Sequence, residues 1–578
     1  MKNLLKYFKG YRIEAFSAPF FKIIEAVFEL LVPFVVAAII DNGIPSADKP
    51  YIYKMCGVLV LLGALGLAST LTAQYFAAKG AVGFCTNLRQ ALFDHIQSLS
   101  FTEHDRLGAS SLITRLTSDL NTVQSGLNMT LRLMMRSPII VFGAMIMAFT
   151  IDFKSALIFV AAIPILTVVV VGITVRCIPL YTRVQQKLER VLLSTKENLA
   201  GARVIRAFCK EPQEIEMFSQ QNAELCREQK RVGRISAAMN PLTFVIINLA
   251  IILLIWQGAL QVDGGILTQG MVIALYNYMS QILVELIKLA NLIISIPKSV
   301  ACAKRISDVL DVRSTMENGN DTDCNFNAEY SVEYNNCSLR YAGAAADSLE
   351  NISFKLKRGE TLGVIGPTGC GKSTLAGLLP RFYDATSGEV RVFGKDVRDY
   401  DIETLRSAVG FVLQKNRLFN GTIRDNMRLG AENATDEEII EALKIAQAWD
   451  FVSEKEGQLD YVIEQGSSNL SGGQAQRLCI ARALVRKPKI LILDDSSSAL
   501  DYATDSKLRI AISNLDYKPT VIIVSQRVST VMHCDRIIVL EDGHCEGIGT
   551  HDELLKSCSE YREIYDSQIR SEEGGASA

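Results

Sequence analysis

Gly366-Pro367-Thr368-Gly369-Cys370-Gly371-Lys372-Ser373-Thr374 is the stretch on which the fold of the C-terminal half turns. It matches the pattern G-x4-G-K-[ST]. It follows the apolar run TLGVI at 361–365 and precedes the helical run STLAGLLPRF at 373–382. A strand, a glycine loop and a helix in that order form a phosphate cradle. Gly366, Gly369 and Gly371 let backbone N–H groups approach phosphate oxygens, and the helix N-terminus adds a favourable dipole. Lys372 is expected to reach the β- and γ-phosphates and Ser373 to ligate Mg²⁺. Cys370 reads as a tolerated filler of the loop rather than a redox switch.

Working outward, the run Ile490-Leu-Ile-Leu-Asp494 ends in an acid. An apolar run with a terminal Asp says little alone. Paired with the phosphate loop about 120 residues earlier, it supplies the carboxylate of a Mg²⁺ shell. Between Ser331 and about Ile569, short β-rich runs such as AVGFVL, KILILDD and TVIIVS alternate with helical stretches. That alternation predicts an α/β domain with a mostly parallel sheet.

These motifs define a nucleotide site only. Leu470-Ser471-Gly472-Gly473-Gln474, followed by a helical run, resembles the signature of ATP-binding cassette (ABC) proteins. Ser471 and Gly472 would open a helix whose N–H groups face the γ-phosphate of a nucleotide held by another subunit. Other pieces resemble the same family in order. Tyr341 looks like the aromatic that stacks on adenine, core filling being its other reading. Gln414 looks like the Q-loop residue, Glu464-Gln465-Gly466 like the exporter-type stretch before the signature, and Ser498-Ala-Leu-Asp501 like the D-loop. The resemblance is to an ABC exporter half-transporter of the bacterial multidrug or lipid type. It implies ATP and Mg²⁺ as cofactors. The nucleotide contacts it implies are Tyr341, residues 366–374, Asp494 and Ser471, Gly472, Gly473 and Gln474. The Mg²⁺ ligands it implies are Ser373, Gln414 and Asp494.

Two positions depart from the family pattern. Directly after Asp494 the family usually has Glu, the general base; here it is Asp495. The loss of one methylene shortens its reach by up to ~1.5 Å. Base contacts need ~2.6–3.2 Å, and misplacement by about 1 Å costs about 10²-fold. The switch segment reads VIIVSQRVST at 521–530, with Gln526 in the place of the family's His. An amide hydrogen-bonds phosphate but cannot exchange a proton at neutral pH. None of the chain's five histidines falls at this position. A weakened Asp495/Gln526 pair beside an intact signature predicts asymmetry. The chain would lend Ser471–Gln474 to a competent site completed by a different half-transporter.

The N-terminal half reads differently. Long uncharged runs predict six membrane-spanning helices near 14–41, 53–79, 133–152, 154–176, 237–262 and 265–297. Lysines and arginines concentrate at the N-terminus and in 79–136 and 176–234, which places those segments in the cytoplasm as long helical hairpins. The expected domains are a transmembrane domain over 1–312, a polar linker at 313–330, a cassette over 331–570 and a disordered tail at 571–578. By the same resemblance, Ser118–Val123 at the turn of the first hairpin and Phe208–Glu214 in the second are contact segments for cassettes, the second for the partner's; taken without the resemblance, both read first as charged surface turns. Glu25 and Glu29 lie on one face of the first span. They read as water-facing or paired with Lys22, and alternatively as a site for a cationic substrate.

Composition agrees with a membrane half joined to a soluble half: 49% of the 578 residues are hydrophobic and 21% charged. A net charge of -2 excludes global basicity as a drive towards nucleic acid. Thirteen cysteines without a CxxC pair argue against a disulfide framework. The expected fold class is multi-domain: a six-helix transmembrane domain with long cytoplasmic extensions, plus an α/β P-loop nucleotide-binding domain. The expected place is the bacterial cytoplasmic membrane, with the cassette on the cytoplasmic side. The expected partners are the lipid bilayer, a second half-transporter and a small hydrophobic or amphipathic substrate. The expected function is ATP-driven export by alternating access, as the degenerate-site half of a heterodimer. Two alternatives stay open: a homodimeric lipid or peptide exporter, and a nucleotide-gated regulatory membrane protein that does not pump.

Overall fold

The computed structural model of the chain describes residues 2–496 and 499–575. It divides into two compact units: Met1–Gln97 with Ala109–Val312, and Ser98–Gly108 with Arg313–Ala578. The first hairpin's tip, inside the stretch assigned above to the transmembrane domain, thus belongs to the second unit.

The first unit is helical. Along the chain its helices are α1 (Arg12–Ala38), α2 (Lys49–Ser98), α4 (Ala109–Thr114), α5 (Leu120–Leu133), α6 (Arg136–Ile151), α7 (Phe153–Ala200), α8 (Ala202–Ala207), α9 (Glu211–Ala237), α10 (Met239–Asp263) and α11 (Gln269–Leu310); α3 (Phe101–Leu107), between α2 and α4, is the tip that belongs to the second unit. Six helical stretches among the described residues are long and apolar enough to cross a membrane: Arg12–Gly43, Lys49–Ser98, Ala109–Ile151, Phe153–Ala200, Glu211–Asp263 and Gln269–Leu289. Small residues sit where helices meet: Ala26, Ala73, Ala77, Ala144, Ala148 and Ala156 are fully buried. Leu249, Ile252, Ile255 and Trp256 of α10 point outward. This is the pattern of a bundle in lipid, where close backbone approach replaces hydrophobic drive.

The caps are legible. Asp152 accepts from Ser155 N at 2.7 Å and opens α7. Thr268 caps α11, so the sixth helix starts at Gln269; residues 265–268, assigned above to the span, form the turn before it. Asp41 at the end of the first stretch accepts from Gly270 N at 2.7 Å. A Cβ at Gly270 would lie 2.4 Å from Ala37 O, so only glycine allows this approach.

Charges inside the first unit are paired. Glu25 accepts from Lys22. Arg136 reaches Glu285 Oε1 and Glu29 Oε2, each at 2.6 Å, and Glu25 Oε1 at 3.4 Å. Glu285 also accepts from Ser137 Oγ and Lys288 Nζ, each at 2.7 Å. Three cations meet three carboxylates, so the cluster is neutral and knots α1, α6 and α11 together. Desolvated charges persist only when compensated in this way. The pairing favours the first reading of Glu25 and Glu29 over a free anionic site.

In the second unit, the strands are β1 (Tyr330–Leu339), β2 (Leu349–Lys357), β3 (Thr361–Ile365), β4 (Ser387–Val392), β5 (Lys395–Asp396), β6 (Val409–Val412), β7 (Gly421–Thr422), β8 (Val462–Ile463), β9 (Ile490–Asp494), β10 (Thr520–Val524), β11 (Arg536–Glu541) and β12 (His544–Gly549). Six of them form a sheet in the order β12-β11-β3-β10-β9-β6, parallel except for β12 at one edge. Every residue of β9 and β10 is buried, as expected of strands covered on both faces. The antiparallel sheet β2-β1-β4-β5 packs its apolar face into a second core around Tyr334 and Tyr400. The terminal helix runs Ser559–Gly575. Residues 571–575 of the expected disordered tail are therefore helical, because this helix continues through them; 576–578 lie outside the described residues.

Candidate nucleotide site

Four neighbouring strands, in the order β3-β10-β9-β6, place four loops at one end of the sheet. Carboxyl ends of parallel strands are where open α/β sheets bind ligands. The phosphate loop follows β3, Gln526 follows β10, Asp494 ends β9 and Gln414 follows β6. The main chain ties them: Ser525 N donates to Val364 O at 3.0 Å and Asp495 N to Val524 O at 2.9 Å. The loops enclose a cavity of about 170 Å³. It is lined by Thr368, Gly369, Gly371, Lys372, Ser373, Thr374, Gln414, Asp494, Asp495, Val524 and Gln526.

The glycines have distinct reasons. Gly369 has φ +89° and an open Cβ position, so its backbone conformation is what demands glycine. A Cβ at Gly366 would fall 2.0 Å from Leu540 O, so close packing decides that position. Lys372 is 8% exposed. Its Nζ donates to Gly366 O at 2.8 Å and to Pro367 O at 2.6 Å, which folds the ammonium over the loop it serves. Cys370 is buried, and burial raises its thiol pKa, with Lys372 opposing. A raised pKa disfavours thiolate, in keeping with a filler.

Ser373 Oγ donates to Asp494 Oδ1 at 3.0 Å. Burial raises the Asp494 pKa above the usual carboxylate range; Ser373 lowers it and neighbouring Asp495 raises it further. A buried carboxylate of this kind gains from a cation. Hydroxyl, carboxylate and amide oxygens are hard donors, which fits Mg²⁺ completed by phosphate and water oxygens. No cluster of three or more His, Cys, Asp or Glu that could hold a metal occurs among the described residues. Ser373, Asp494 and Gln414, which line one cavity, are the residues that would hold the ion together with the nucleotide. When bound, such an ion would neutralise phosphate charge.

Asp495 has φ +46°, a left-handed conformation that Asp tolerates better than most residues. Its Oδ2 accepts from Gln414 Nε2 at 3.2 Å. Thr368 Oγ1 donates to Gln526 Oε1 at 3.3 Å. Both departures from the family pattern thus face the same cavity.

Tyr341 lines a different cavity, of about 610 Å³, with Arg340, Gly343, Tyr383 and Asp384. Its hydroxyl lies 3.0 Å from Thr374 Oγ1, and its ring meets Tyr383 edge-on at 5.0 Å. Ser471 caps the helix Gly472–Leu484. Ser471 N donates to Gln474 Oε1 at 3.0 Å, and Gln474 N donates back to Ser471 Oγ at 3.3 Å. Gly473 lies close to Ala499 O, 2.9 Å from where its Cβ would be. Ser471, Gly472, Gly473 and Gln474 do not line the phosphate cavity. Ser498 of the D-loop reading lies outside the described residues.

The first contact segment is not where the sequence reading put it. Ser118–Val123 packs within the first unit, where Arg305 Nε donates to Asp119 Oδ2 at 2.9 Å. The tip that clusters with the cassette is Ser98–Gly108. Thr315 Oγ1 donates to Glu103 Oε1 at 2.8 Å, Tyr383 OH donates to Asp105 Oδ2 at 2.6 Å, and Phe101 packs on Phe382 with ring centroids 4.7 Å apart. A signal was present: Ser100-x-x-Glu103 is a capping-box pattern. Tyr383 and Asp105 were likewise missed, since nothing local marks residues 278 positions apart as partners. In the second hairpin, Phe208 is 72% exposed at the end of α8.

Comparison with known proteins agrees with this geometry. The family model described as the ABC transporter transmembrane region matches residues 16–286, and that described as ABC transporter matches 349–498. The chain is 35% identical over 570 residues to YfiB of Bacillus subtilis, an uncharacterized ABC transporter ATP-binding protein, covering 98% of this chain and 99% of that one. It is 35% identical over 571 residues to Rv1273c of Mycobacterium tuberculosis, another such protein, covering 98% and 97%. It is 30% identical over 572 residues to the ATP-dependent lipid A-core flippase of Desulfotalea psychrophila, covering 98% and 99%. A solved bacterial Atm1-family ABC exporter with ATP bound shares the fold, with a TM-score of 0.80 at 22% identity over 96% of this chain and 98% of that one. The chain therefore belongs to the ABC transporter family as an exporter-type half-transporter, a multi-pass membrane protein whose cytoplasmic cassette is an ATPase coupled to transport.

Proposed function

We propose that this chain is the degenerate-site subunit of a heterodimeric exporter of hydrophobic or amphipathic compounds. The observation that carries this reading is the pairing of Asp495 and Gln526 on one phosphate cavity. The shorter carboxylate is a weakened base, and the amide opposite cannot exchange a proton. Lys372, Ser373 and Asp494 remain suited to bind MgATP. Tyr341 stacks on the base beside Thr374. The intact Ser471–Gln474 cap serves a second site whose phosphate loop lies on the partner, and Phe208–Glu214 docks on the partner's cassette. Binding of two ATP molecules closes the cassettes and opens the membrane helices outward. Hydrolysis at the partner-held site resets them.

Two copies of this chain would put Asp495 and Gln526 in both sites, leaving no competent one. Photolabelling of the assembled pair separates these arrangements. A photoreactive ATP analogue is expected on this chain, and vanadate-trapped ADP on the partner. Equal vanadate trapping on both chains overturns the assignment. Concentrative, vanadate-sensitive uptake into inverted proteoliposomes separates pumping from nucleotide gating.

A further inference from the structure

Gln568, on the helix Ser559–Gly575, grips the loop after β10 at two points. Its Nε2 donates to Gln526 O at 2.7 Å, and its Oε1 accepts from Val528 N at 2.8 Å. The side-chain amide thus pairs with the main chain on both sides of Arg527, as a neighbouring strand would.

The helix that carries it is anchored. Tyr561 is fully buried, with its hydroxyl 2.8 Å from His551 Nδ1. Ile564 and Tyr565 pack against the same core. Tyr561, Ile564, Tyr565 and Gln568 follow i, i+3, i+4, i+7 spacing, the inward face of a helix. Gln568 takes the last of those positions, where the pattern calls for an apolar residue. An inward amide is costly unless paired, and both of these hydrogen bonds go to the loop that carries Gln526. On its other side the Gln526 side chain meets Thr368 of the phosphate loop.

We infer that Gln568 is a positioning residue for nucleotide sensing. It fixes the backbone at Gln526 so that the Gln526 amide is set against the γ-phosphate position, and the C-terminal helix thereby takes part in telling ATP from ADP. The inference rests on the proposed γ-phosphate role of Gln526 and is independent of whether this site hydrolyses.

The test is equilibrium displacement of a fluorescent ATP analogue by MgATP and by MgADP, on the purified full-length chain in nanodiscs. Gln568→Ala is expected to lower the ratio of ATP to ADP affinity about fivefold, the worth of one hydrogen bond, with ADP affinity unchanged. Gln568→Met, which keeps the helix packing, is expected to do the same. In a Gln526→Ala background, Gln568→Ala is expected to change the ratio no further. An unchanged ratio, equal losses for both nucleotides, or additive losses in that background overturn the inference. A wild type that binds ATP no more tightly than ADP overturns the reading of Gln526 itself.

Discussion

Thr368 and Gln526 are joined side chain to side chain, hydroxyl to amide oxygen, at 3.3 Å across the phosphate cavity. The residue in the switch position is thereby held by its oxygen, and its N–H groups are the ones suited to a phosphate. A donor amide stabilises bound ATP without helping to move a proton. Binding and turnover are separable at such a site, and the substitutions below act on one or the other.

Asp495→Glu combined with Gln526→His restores reach and proton exchange together. Hydrolysis at this site in the assembled pair is expected to rise by about 10²-fold. The check is single-turnover ATPase with the partner's site inactivated. An unchanged rate would place a second defect in the partner's signature.

Lys372→Ala removes the only ammonium that lines the phosphate cavity among the described residues. ATP affinity is expected to fall by roughly one to two orders of magnitude, the scale of a hydrogen bond to a charged group. Titration of the purified chain with a fluorescent ATP analogue measures it.

Arg136 holds three carboxylates, from two helices, in the membrane unit. Arg136→Ala strands buried charge and is expected to cost about 3–5 kcal/mol, whereas Arg136→Met with Glu285→Met costs less. Thermal unfolding in detergent distinguishes them. Because Glu25 and Glu29 are spent on this knot, Glu25→Gln/Glu29→Gln is expected to affect transport of cationic and neutral dyes equally. A selective loss of cationic dyes would assign these acids to substrate.

Glu103 gives a pH-dependent prediction. Burial raises its pKa, but hydrogen bonds from Ser100 and Thr315 outweigh burial and hold it below the usual carboxylate value. A depressed native pKa contributes stability above the unfolded value of about 4.3, and that contribution is lost as pH falls through the native value. The melting-temperature gap between wild type and Glu103→Gln is expected to be full at pH 7 and to close below about pH 4. A constant gap down to pH 3 contradicts the assignment.

The phosphate loop, Asp494 and the six apolar stretches were legible because each is a local pattern with a single physical reading. Glycines at 366, 369 and 371 announce a backbone site, and runs of uncharged residues announce lipid. What escaped the sequence depends on distant partners. Arg136 and Glu285 lie 149 positions apart, and each alone is only a costly charge in a span. The tip at 101–107 was passed over because its short helix interrupts a long, charged hairpin whose turn has no Pro. The displaced choice, Ser118–Val123, looked like a surface turn, yet Asp119 is consumed by Arg305. Gln568 sits in a polar C-terminal helix, and the packing of Tyr561, Ile564 and Tyr565 sets the face on which it lies.

The proposed function requires that this chain bind ATP and, by itself, hydrolyse it slowly. The direct measurement is steady-state ATPase of the purified chain in nanodiscs, alone and after assembly with its partner half-transporter, alongside ATP binding by each preparation. The expected result is ATP binding in both preparations, with little hydrolysis alone and rapid hydrolysis after assembly. Fast hydrolysis by the chain alone, abolished by Lys372→Ala, would contradict it.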